Sequence, residues 1–317
     1  MHIESETIAA NRTVSLAARL RGLCKLIRPH QWVKNLLLML PALLAHKLFT
    51  GDIWEQVGWA FVSLSLSASA VYVLNDRMDY LADREHPKKK QRSFASSLVP
   101  LSWAPVTVAM LSISGSLIAW FFLPILFLYG LLLYLFVTTL YTFWLKRLVI
   151  VDVLVLGGLY TLRIIIGGLA TNITVSTWLL AFSMFVFSSM AFGKRYSELL
   201  RNQKIATEND ASLKRRGYHV KDLALVQTLG ICTGMMSVVV LSLYVELGSL
   251  ESKGYENPQA LWGVCIAVLY WICNFWLLAT RGRMNEDIVK FVFLDWSTLV
   301  SAVIVLACSI IAIWPFG

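Results

Sequence analysis

Long apolar runs alternate with short polar stretches along most of the chain. A helix needs about 20 predominantly apolar residues to cross a bilayer, and runs near this length recur from residue 35 onward. The pattern predicts nine membrane-spanning helices, at roughly residues 35–50, 54–75, 101–121, 124–145, 149–170, 175–193, 222–246, 259–279 and 294–314. We therefore expect an all-α, polytopic membrane protein.

The first 34 residues differ from the rest because they are polar and basic. Leu16, Leu20, Leu23 and Ile27 follow helical spacing, which is typical of an amphipathic segment at a membrane face. We accordingly predict two parts: an interfacial segment at 1–34 and a single transmembrane domain at 35–317.

The composition agrees with this division. Hydrophobic residues make up 57% of the chain and charged residues 15%, whereas soluble domains contain about 25% charged residues. The net charge of +9 is therefore not a sign of nucleic-acid binding, and we expect no nucleic-acid partner.

The distribution of basic residues predicts an orientation. Of the 28 Lys and Arg, 25 lie in the N-terminal segment or in one alternate set of loops. Only Lys47 and Lys253 lie in the other set, and Arg163 lies within an apolar run. Since cytoplasmic loops retain Lys and Arg, we expect the basic loops and the N-terminus inside and the C-terminus outside.

The strongest chemical signal follows the second predicted helix. Asp76, Asp79 and Asp83 are spaced i, i+3 and i+7, which places them on one helical face. Asn75 borders that face. Because Mg²⁺ binds carboxylate oxygens together with substrate phosphates, these four residues are predicted metal ligands, and Asp79 and Asp83 are expected to project from the helix end into water. Asp79 and Asp83 are the predicted catalytic pair.

A basic cluster comes next in the chain. Pro87 cannot continue a helix interior, so the helix is predicted to end near His86. Lys88 and Arg92 then offer cations to the oxygens of a diphosphate. A charged loop that only sets topology is the alternative, but aspartates in phase before a basic cluster favour a Mg²⁺–diphosphate site.

Further basic residues follow the sixth predicted helix. Lys194 and Arg195 are predicted to bind phosphate, with Tyr196 and Glu198 as neighbouring candidates. An ion pair between Lys194 and Glu198, at i,i+4, is the structural alternative.

The fourth and fifth apolar runs carry the remaining candidates. Lys146 and Arg147 end the fourth run and are also predicted to bind phosphate, and Tyr141 lies shortly before them. Asp152 and Arg163 lie in or near the fifth run, where a charged group usually faces a cavity or a partner. A functional site and a structural ion pair both account for these two residues.

Three stretches carry a resemblance to a known family. They read RPHQWVKN at 28–35, NDRMDYLADREHPKKKQR at 75–92 and GKRYSEL at 193–199. This set resembles the UbiA superfamily of intramembrane prenyltransferases, and more closely its decaprenyl-phosphate phosphoribosyltransferase branch. The second aspartate motif of the superfamily is absent as a plain DxxxD, and GKRYSEL stands in its place.

The resemblance implies a UbiA-like helical bundle and a Mg²⁺-dependent transferase. It would move a 5-phosphoribosyl group from phosphoribosyl diphosphate to a polyprenyl phosphate, for cell-envelope glycan precursors, at the cytoplasmic face of a bacterial inner membrane. Arg28, Lys34 and Asn35, at the predicted membrane surface, are the candidates for holding the polyprenyl phosphate. Assembly into a homo-oligomer is left open by the sequence.

Two alternatives remain at this point. A prenyltransferase of the same superfamily would move an isoprenoid from its diphosphate to an aromatic or lipid acceptor. A transporter of lipid-linked sugars would have no enzymatic activity, but it would be expected to place charges throughout its spans rather than at one face.

Overall fold

The computed structural model describes residues 15–85, 89–205, 217–248, 255–284 and 295–314. Every regular element within these ranges is helical, as predicted. The α-helices are α1 (Leu16–Ile27), α2 (Leu40–Leu44), α3 (Ile53–Glu85), α4 (Trp103–Phe122), α5 (Ile125–Phe143), α6 (Val151–Thr171), α7 (Thr177–Ile205), α8 (Leu223–Leu243), α9 (Leu261–Thr280) and α10 (Trp296–Ile313).

Short helical elements join several of these helices. They are the 3₁₀ helices Pro29–Met39, Lys89–Gln91, Leu145–Arg147, Val220–Asp222 and Pro258–Ala260, and the π-helix Tyr244–Gly248. Eight helices in the described ranges, α3 to α10, are long and apolar enough to cross a membrane, α8 and α9 together with their short flanking helices.

The first predicted span has a different form from the other eight. Instead of one α-helix over 35–50, the structure has an 11-residue 3₁₀ helix followed by the 5-residue α2. At the rises of the two helix types these would measure roughly 22 Å and 7.5 Å. Their sum is close to the roughly 30 Å of a hydrocarbon core, so the segment is long enough for the predicted crossing.

Helix α3 is the longest element and emerges well beyond its apolar part. Its 33 residues correspond to about 50 Å, which exceeds the membrane core. The last turns, from Asn75 to Glu85, are polar. The described part of the helix extends to Glu85, and residues 86–88, where its end is predicted, lie outside the described ranges.

The chain forms two compact units, residues 1–139 with 169–172 and residues 140–168 with 173–317. In the first unit, α3 and α4 approach closely at Gly115, where an added Cβ would lie 2.4 Å from Ser67 Oγ. The Ser63 hydroxyl also donates to the Gly115 carbonyl at 2.8 Å. Small residues at such contacts are how membrane helices pack backbone against backbone, and this packing fixes α3.

In the second unit, α7 is fixed against α8 and α9. Ser189 donates to the Gly230 carbonyl at 2.7 Å and accepts from Trp276 Nε1 at 3.0 Å. Gly230 lies against the Trp276 ring, where an added Cβ would approach to 2.2 Å. This anchoring holds the later turns of α7, which carry Lys194 to Glu198.

Candidate functional site

The first unit contains a cluster of two carboxylates and two guanidinium groups, here named the aspartate cluster. It consists of Arg28, Asp76, Asp83 and Arg92. Asp76 and Asp83 lie two helical turns apart on α3. Arg28 stands between α1 and the following 3₁₀ helix, and Arg92 follows the 3₁₀ helix Lys89–Gln91.

The two arginines converge on Asp76. Arg28 Nη2 donates to both carboxylate oxygens of Asp76, at 2.7 and 2.9 Å. Arg92 Nη1 donates to Asp76 Oδ1 at 3.2 Å and to Asp83 Oδ2 at 2.8 Å. One guanidinium nitrogen therefore joins the two carboxylates.

The expectation that Asp79 and Asp83 project into water is wrong for Asp83. The side chains of Asp76 and Asp83 are only 4% and 6% exposed, because the two arginines cover the carboxylates. Asp79 and Asn75 are half-buried at the same helix end, and Lys88 lies outside the described residues. Arg92 is ion-paired with both aspartates, and its phosphate-binding role stays a prediction.

The predicted metal ligands fit a cation by their chemistry. Asp76 and Asp83 direct oxygens at the same Arg92 nitrogen, so together they already solvate one positive charge. Within the described part of the chain, no three His, Cys, Asp or Glu side chains form a metal-binding group. Magnesium binding therefore remains a prediction, and it would require the carboxylates to exchange the Arg92 guanidinium for the metal ion.

The stretch RPHQWVKN, residues 28–35, is held against α3 by hydrogen bonds. Ser69 donates to the Ile27 carbonyl at 2.8 Å and accepts from Trp32 Nε1 at 3.0 Å. Asn35 is buried and donates to Ser65 Oγ at 3.0 Å. The 3₁₀ helix Pro29–Met39 thus begins antiparallel to α3, and these contacts hold Arg28 beside Asp76.

The three candidates for lipid phosphate have different surroundings in this arrangement. Arg28 is 21% exposed and engaged by Asp76, and Asn35 faces α3. Lys34 is half-buried. Their predicted contact with polyprenyl phosphate stays a prediction, and the geometry gives Arg28 and Asn35 structural contacts as well.

The second unit contains another charged group, here named the arginine cluster. It consists of Tyr141, Asp152, Arg195, Glu198 and Tyr218. Arg195 and Asp152 are both fully buried, with 0% exposed side chains. At this depth, the loss of Arg195 would leave the Asp152 carboxylate buried without its guanidinium partner.

Arg195 is the centre of the arginine cluster. Its Nε donates to Asp152 Oδ2 at 2.5 Å, Nη1 to Glu198 Oε2 at 2.7 Å, and Nη2 to the Tyr141 hydroxyl at 3.1 Å. All three nitrogens are therefore engaged within the protein. Its contact with phosphate stays a prediction. In this structure the Arg195 guanidinium binds the carboxylates of Asp152 and Glu198.

Tyr218 completes the arginine cluster and is not among the residues predicted from the sequence. Its hydroxyl donates to Asp152 Oδ1 at 2.7 Å and accepts from the Ile150 amide at 2.8 Å. Burial and the hydrogen bond to Asp152 raise the pKa of Tyr218. A lone tyrosine after a run of basic residues carries no sequence signal, because its partners are 66 and 68 residues away.

The backbone is strained where Tyr218 meets the loop before α6. Ile150 has φ = 69°, a conformation that β-branched residues rarely adopt and that costs on the order of 1–3 kcal/mol. Gly217 also has φ = 69°, and an added Cβ would lie 2.9 Å from the Arg147 carbonyl oxygen. The two chain segments are therefore in close backbone contact.

The remaining candidates of the second unit are distributed around the arginine cluster. Lys146 is buried, Arg147 is exposed and Lys194 is half-buried. Tyr196 packs in the apolar core, with its ring 6.0 Å from that of Trp276. Arg163 lies deeper in α6, donates to the Leu159 carbonyl at 2.8 Å and contacts the Tyr160 ring.

Fold and charges together define the class of protein. The chain is an integral membrane protein of long apolar helices, with ionic clusters in both compact units. It belongs to the UbiA prenyltransferase family, whose model matches residues 36–299.

Individual relatives agree with this assignment. The chain is 36% identical over 262 residues to decaprenyl-phosphate phosphoribosyltransferase from Mycobacterium tuberculosis, covering 80% of this chain and 81% of the relative. It is 32% identical over 294 residues to nodulation protein NoeC from Azorhizobium caulinodans, covering 87% and 88%.

A solved structure shows the same fold. It comes from work on "Structural and mechanistic insights into the biosynthesis of Digeranylgeranylglyceryl phosphate synthase in membranes". The match has a TM-score of 0.64 and 18% identity, and it covers 93% of this chain and 98% of the other. The solved structure thus confirms the fold, while the family model and the curated relatives show a UbiA-type membrane transferase.

Proposed function

We propose that this protein transfers a 5-phosphoribosyl group from phosphoribosyl diphosphate to a polyprenyl phosphate. The observation that carries the proposal is the 36% identity with a decaprenyl-phosphate phosphoribosyltransferase over 80% of the chain. Basic residues at several helix ends support it, because such a donor has phosphate groups at both ends and needs several cations.

The proposed reaction exchanges one bond at the ribose C1 carbon. The bond from C1 to the diphosphate oxygen breaks, and the diphosphate leaves with the electron pair. A phosphate oxygen of the polyprenyl phosphate forms the new bond to C1. Because this oxygen is already anionic, the reaction requires no strong base in the protein.

The carboxylates of the aspartate cluster are the proposed metal ligands. Asp76 and Asp83, with Asp79 and Asn75 beside them, offer oxygen ligands of the kind that Mg²⁺ prefers. Bound there, the ion would offset charge on the leaving diphosphate. Arg92, once separated from the carboxylates, would then be placed to bind a diphosphate oxygen through a charge-assisted hydrogen bond.

Other basic residues are proposed to bind the remaining anionic groups. In the second unit, Lys146, Arg147 and Lys194 are the candidates for donor phosphate. Lys34 is the candidate for the phosphate of the lipid acceptor. Fixed cations of this kind stabilise a transition state in which charge moves onto the leaving group.

The location of the reaction follows from the orientation predicted by the basic residues. We propose that the charged helix ends face the cytoplasm of a bacterial cell, where the soluble donor would be available. The lipid product would serve as a precursor of a cell-envelope glycan. A homo-oligomeric state is compatible with the proposal but not required by it.

The test is a transfer assay with purified protein in lipid nanodiscs. Mg²⁺, radiolabelled phosphoribosyl diphosphate and decaprenyl or undecaprenyl phosphate are supplied together, and label in the lipid fraction is measured. The proposal predicts labelled lipid only when all three are present. The alternative prenyltransferase would instead transfer from geranylgeranyl diphosphate to an aromatic acid or lipid acceptor.

A further inference from the structure

A loop of the second unit carries two predicted phosphate-binding residues and is contacted by a side chain from a distant segment. The loop runs from the 3₁₀ helix Leu145–Arg147 to the start of α6 at Val151. Its last residue, Ile150, is held at positive φ, so its conformation must be stabilised by contacts outside the loop. The hydroxyl of Tyr218 provides one such contact, since it accepts the Ile150 N–H.

The same hydroxyl connects this loop to the arginine cluster. Tyr218 donates to one oxygen of Asp152, while Arg195 donates to the other. Asp152 is in the first turn of α6, only two residues after Ile150. Tyr218 thus bridges the backbone amide at the end of the loop and the carboxylate that follows it.

The ring of Tyr218 is itself firmly placed. It is fully buried and belongs to an apolar cluster with Val153, Tyr196 and Leu199. Gly217, which precedes it, allows the backbone to lie against the Arg147 carbonyl, where a Cβ would not fit without a shift. A rigid ring therefore presents its hydroxyl at a fixed point.

We propose that Tyr218 is a positioning residue that sets the loop 145–150 and thereby presents Lys146 and Arg147 to a phosphate group of the donor. This rests on the proposed function for the identity of the donor. Tyr218 touches no reacting atom in this role and acts through Ile150 and Asp152. The chemistry it serves is the binding of a phosphate or diphosphate anion.

The test compares Tyr218→Phe with wild type, because this change removes the hydroxyl and keeps the ring. Tyr255→Phe is the matched control, since Tyr255 is a partly buried tyrosine of the same unit whose hydroxyl contacts Tyr244. We expect Tyr218→Phe to raise the KM for phosphoribosyl diphosphate roughly tenfold. The KM for polyprenyl phosphate should change less than about twofold, and Tyr255→Phe should leave both constants unchanged.

Combined variants show whether Tyr218→Phe changes the donor KM by altering the position of the loop 145–150. Arg147 is exposed, so Arg147→Gln should fold normally and raise the donor KM by itself. If Tyr218 acts by placing Lys146 and Arg147, adding Tyr218→Phe to a Lys146→Gln/Arg147→Gln protein should raise the donor KM little further. Fully multiplicative effects would overturn the proposal.

Two measurements separate this proposal from the proposed function. Hydrogen–deuterium exchange of the peptide covering 145–150 should become faster in Tyr218→Phe and stay unchanged in Tyr255→Phe. Binding of inorganic diphosphate, followed by calorimetry, should weaken in Tyr218→Phe even if wild type fails to transfer phosphoribose. Unchanged exchange together with unchanged diphosphate binding would show that Tyr218 does not position this loop.

Discussion

Arg92 Nη1 lies 2.8 Å from Asp83 Oδ2, so a residue predicted to hold substrate phosphate is paired with a predicted metal ligand. The same nitrogen also reaches Asp76, at 3.2 Å. Both carboxylates are almost fully buried, whereas Arg92 retains 28% exposure. The guanidinium is therefore the partner that is better placed to leave, and a divalent cation would compete with it for the carboxylates.

This competition predicts the metal dependence of an Arg92 variant. In Arg92→Gln the guanidinium no longer competes for Asp83, so half-maximal activity should require severalfold less Mg²⁺ than in wild type. The donor KM should rise in the same variant because a phosphate contact is lost. A magnesium titration of initial rates checks both, with Lys90→Gln as an exposed basic control. An unchanged or increased magnesium requirement would contradict the competition.

The aspartates themselves should be essential for turnover. Asp79→Ala or Asp83→Ala should abolish transfer, and Glu85→Gln, at an exposed position on the same helix end, should not. EDTA should silence the wild-type protein and added Mg²⁺ should restore it. Because Asp83 is buried and ion-paired, its variant needs a thermal-unfolding control to show that the fold is retained. Full activity in EDTA would reject the metal site.

Much of the architecture was predictable from apolar length alone. The eight long helices of the described residues follow from runs of apolar residues. The form of the first span did not follow, because apolar residues at 35–50 fit an α-helix as well as the 3₁₀ helix that the structure has. Its placement depends on Trp32 and Asn35 contacting serines of α3.

Of the two charged clusters, the sequence predicted which residues share a helix face but not which residues from other segments pair with them. Spacing placed Asp76 and Asp83 together, since helical periodicity is a local property. The Arg28 pairing with Asp76 spans 48 residues, and the Arg195 pairing with Asp152 spans 43. Such partners depend on how helices pack, so sequence spacing could not distinguish a phosphate-binding arginine from one that pairs with a buried carboxylate.

Donor and acceptor binding should respond to different lysines. Lys194→Ala should raise the KM for phosphoribosyl diphosphate, by an amount equivalent to about 1.5–3 kcal/mol for one charge-assisted contact. Lys34→Ala should instead raise the KM for polyprenyl phosphate. Arg195→Ala is a poorer test, since it leaves Asp152 buried without its guanidinium. Steady-state kinetics with each substrate varied in turn would contradict the assignments if both lysines affected the same constant.

The orientation can be tested by labelling single cysteines. In a background without the five native cysteines, Lys90→Cys or a cysteine at position 205 should react with an impermeant maleimide only from the cytoplasmic side. Tyr255→Cys should react only from outside. Reaction of position 90 in intact cells would reverse the predicted orientation and remove the donor's access to the site.

The identity of the donor is the central claim, and a direct comparison of donors tests it best. The purified protein in nanodiscs is given Mg²⁺ with radiolabelled phosphoribosyl diphosphate and decaprenyl phosphate, or with radiolabelled geranylgeranyl diphosphate and an aromatic acid acceptor. We predict labelled lipid from phosphoribosyl diphosphate, with stoichiometric release of inorganic diphosphate, and no transfer from geranylgeranyl diphosphate. Transfer from geranylgeranyl diphosphate alone would contradict the account and identify a prenyltransferase of the same family.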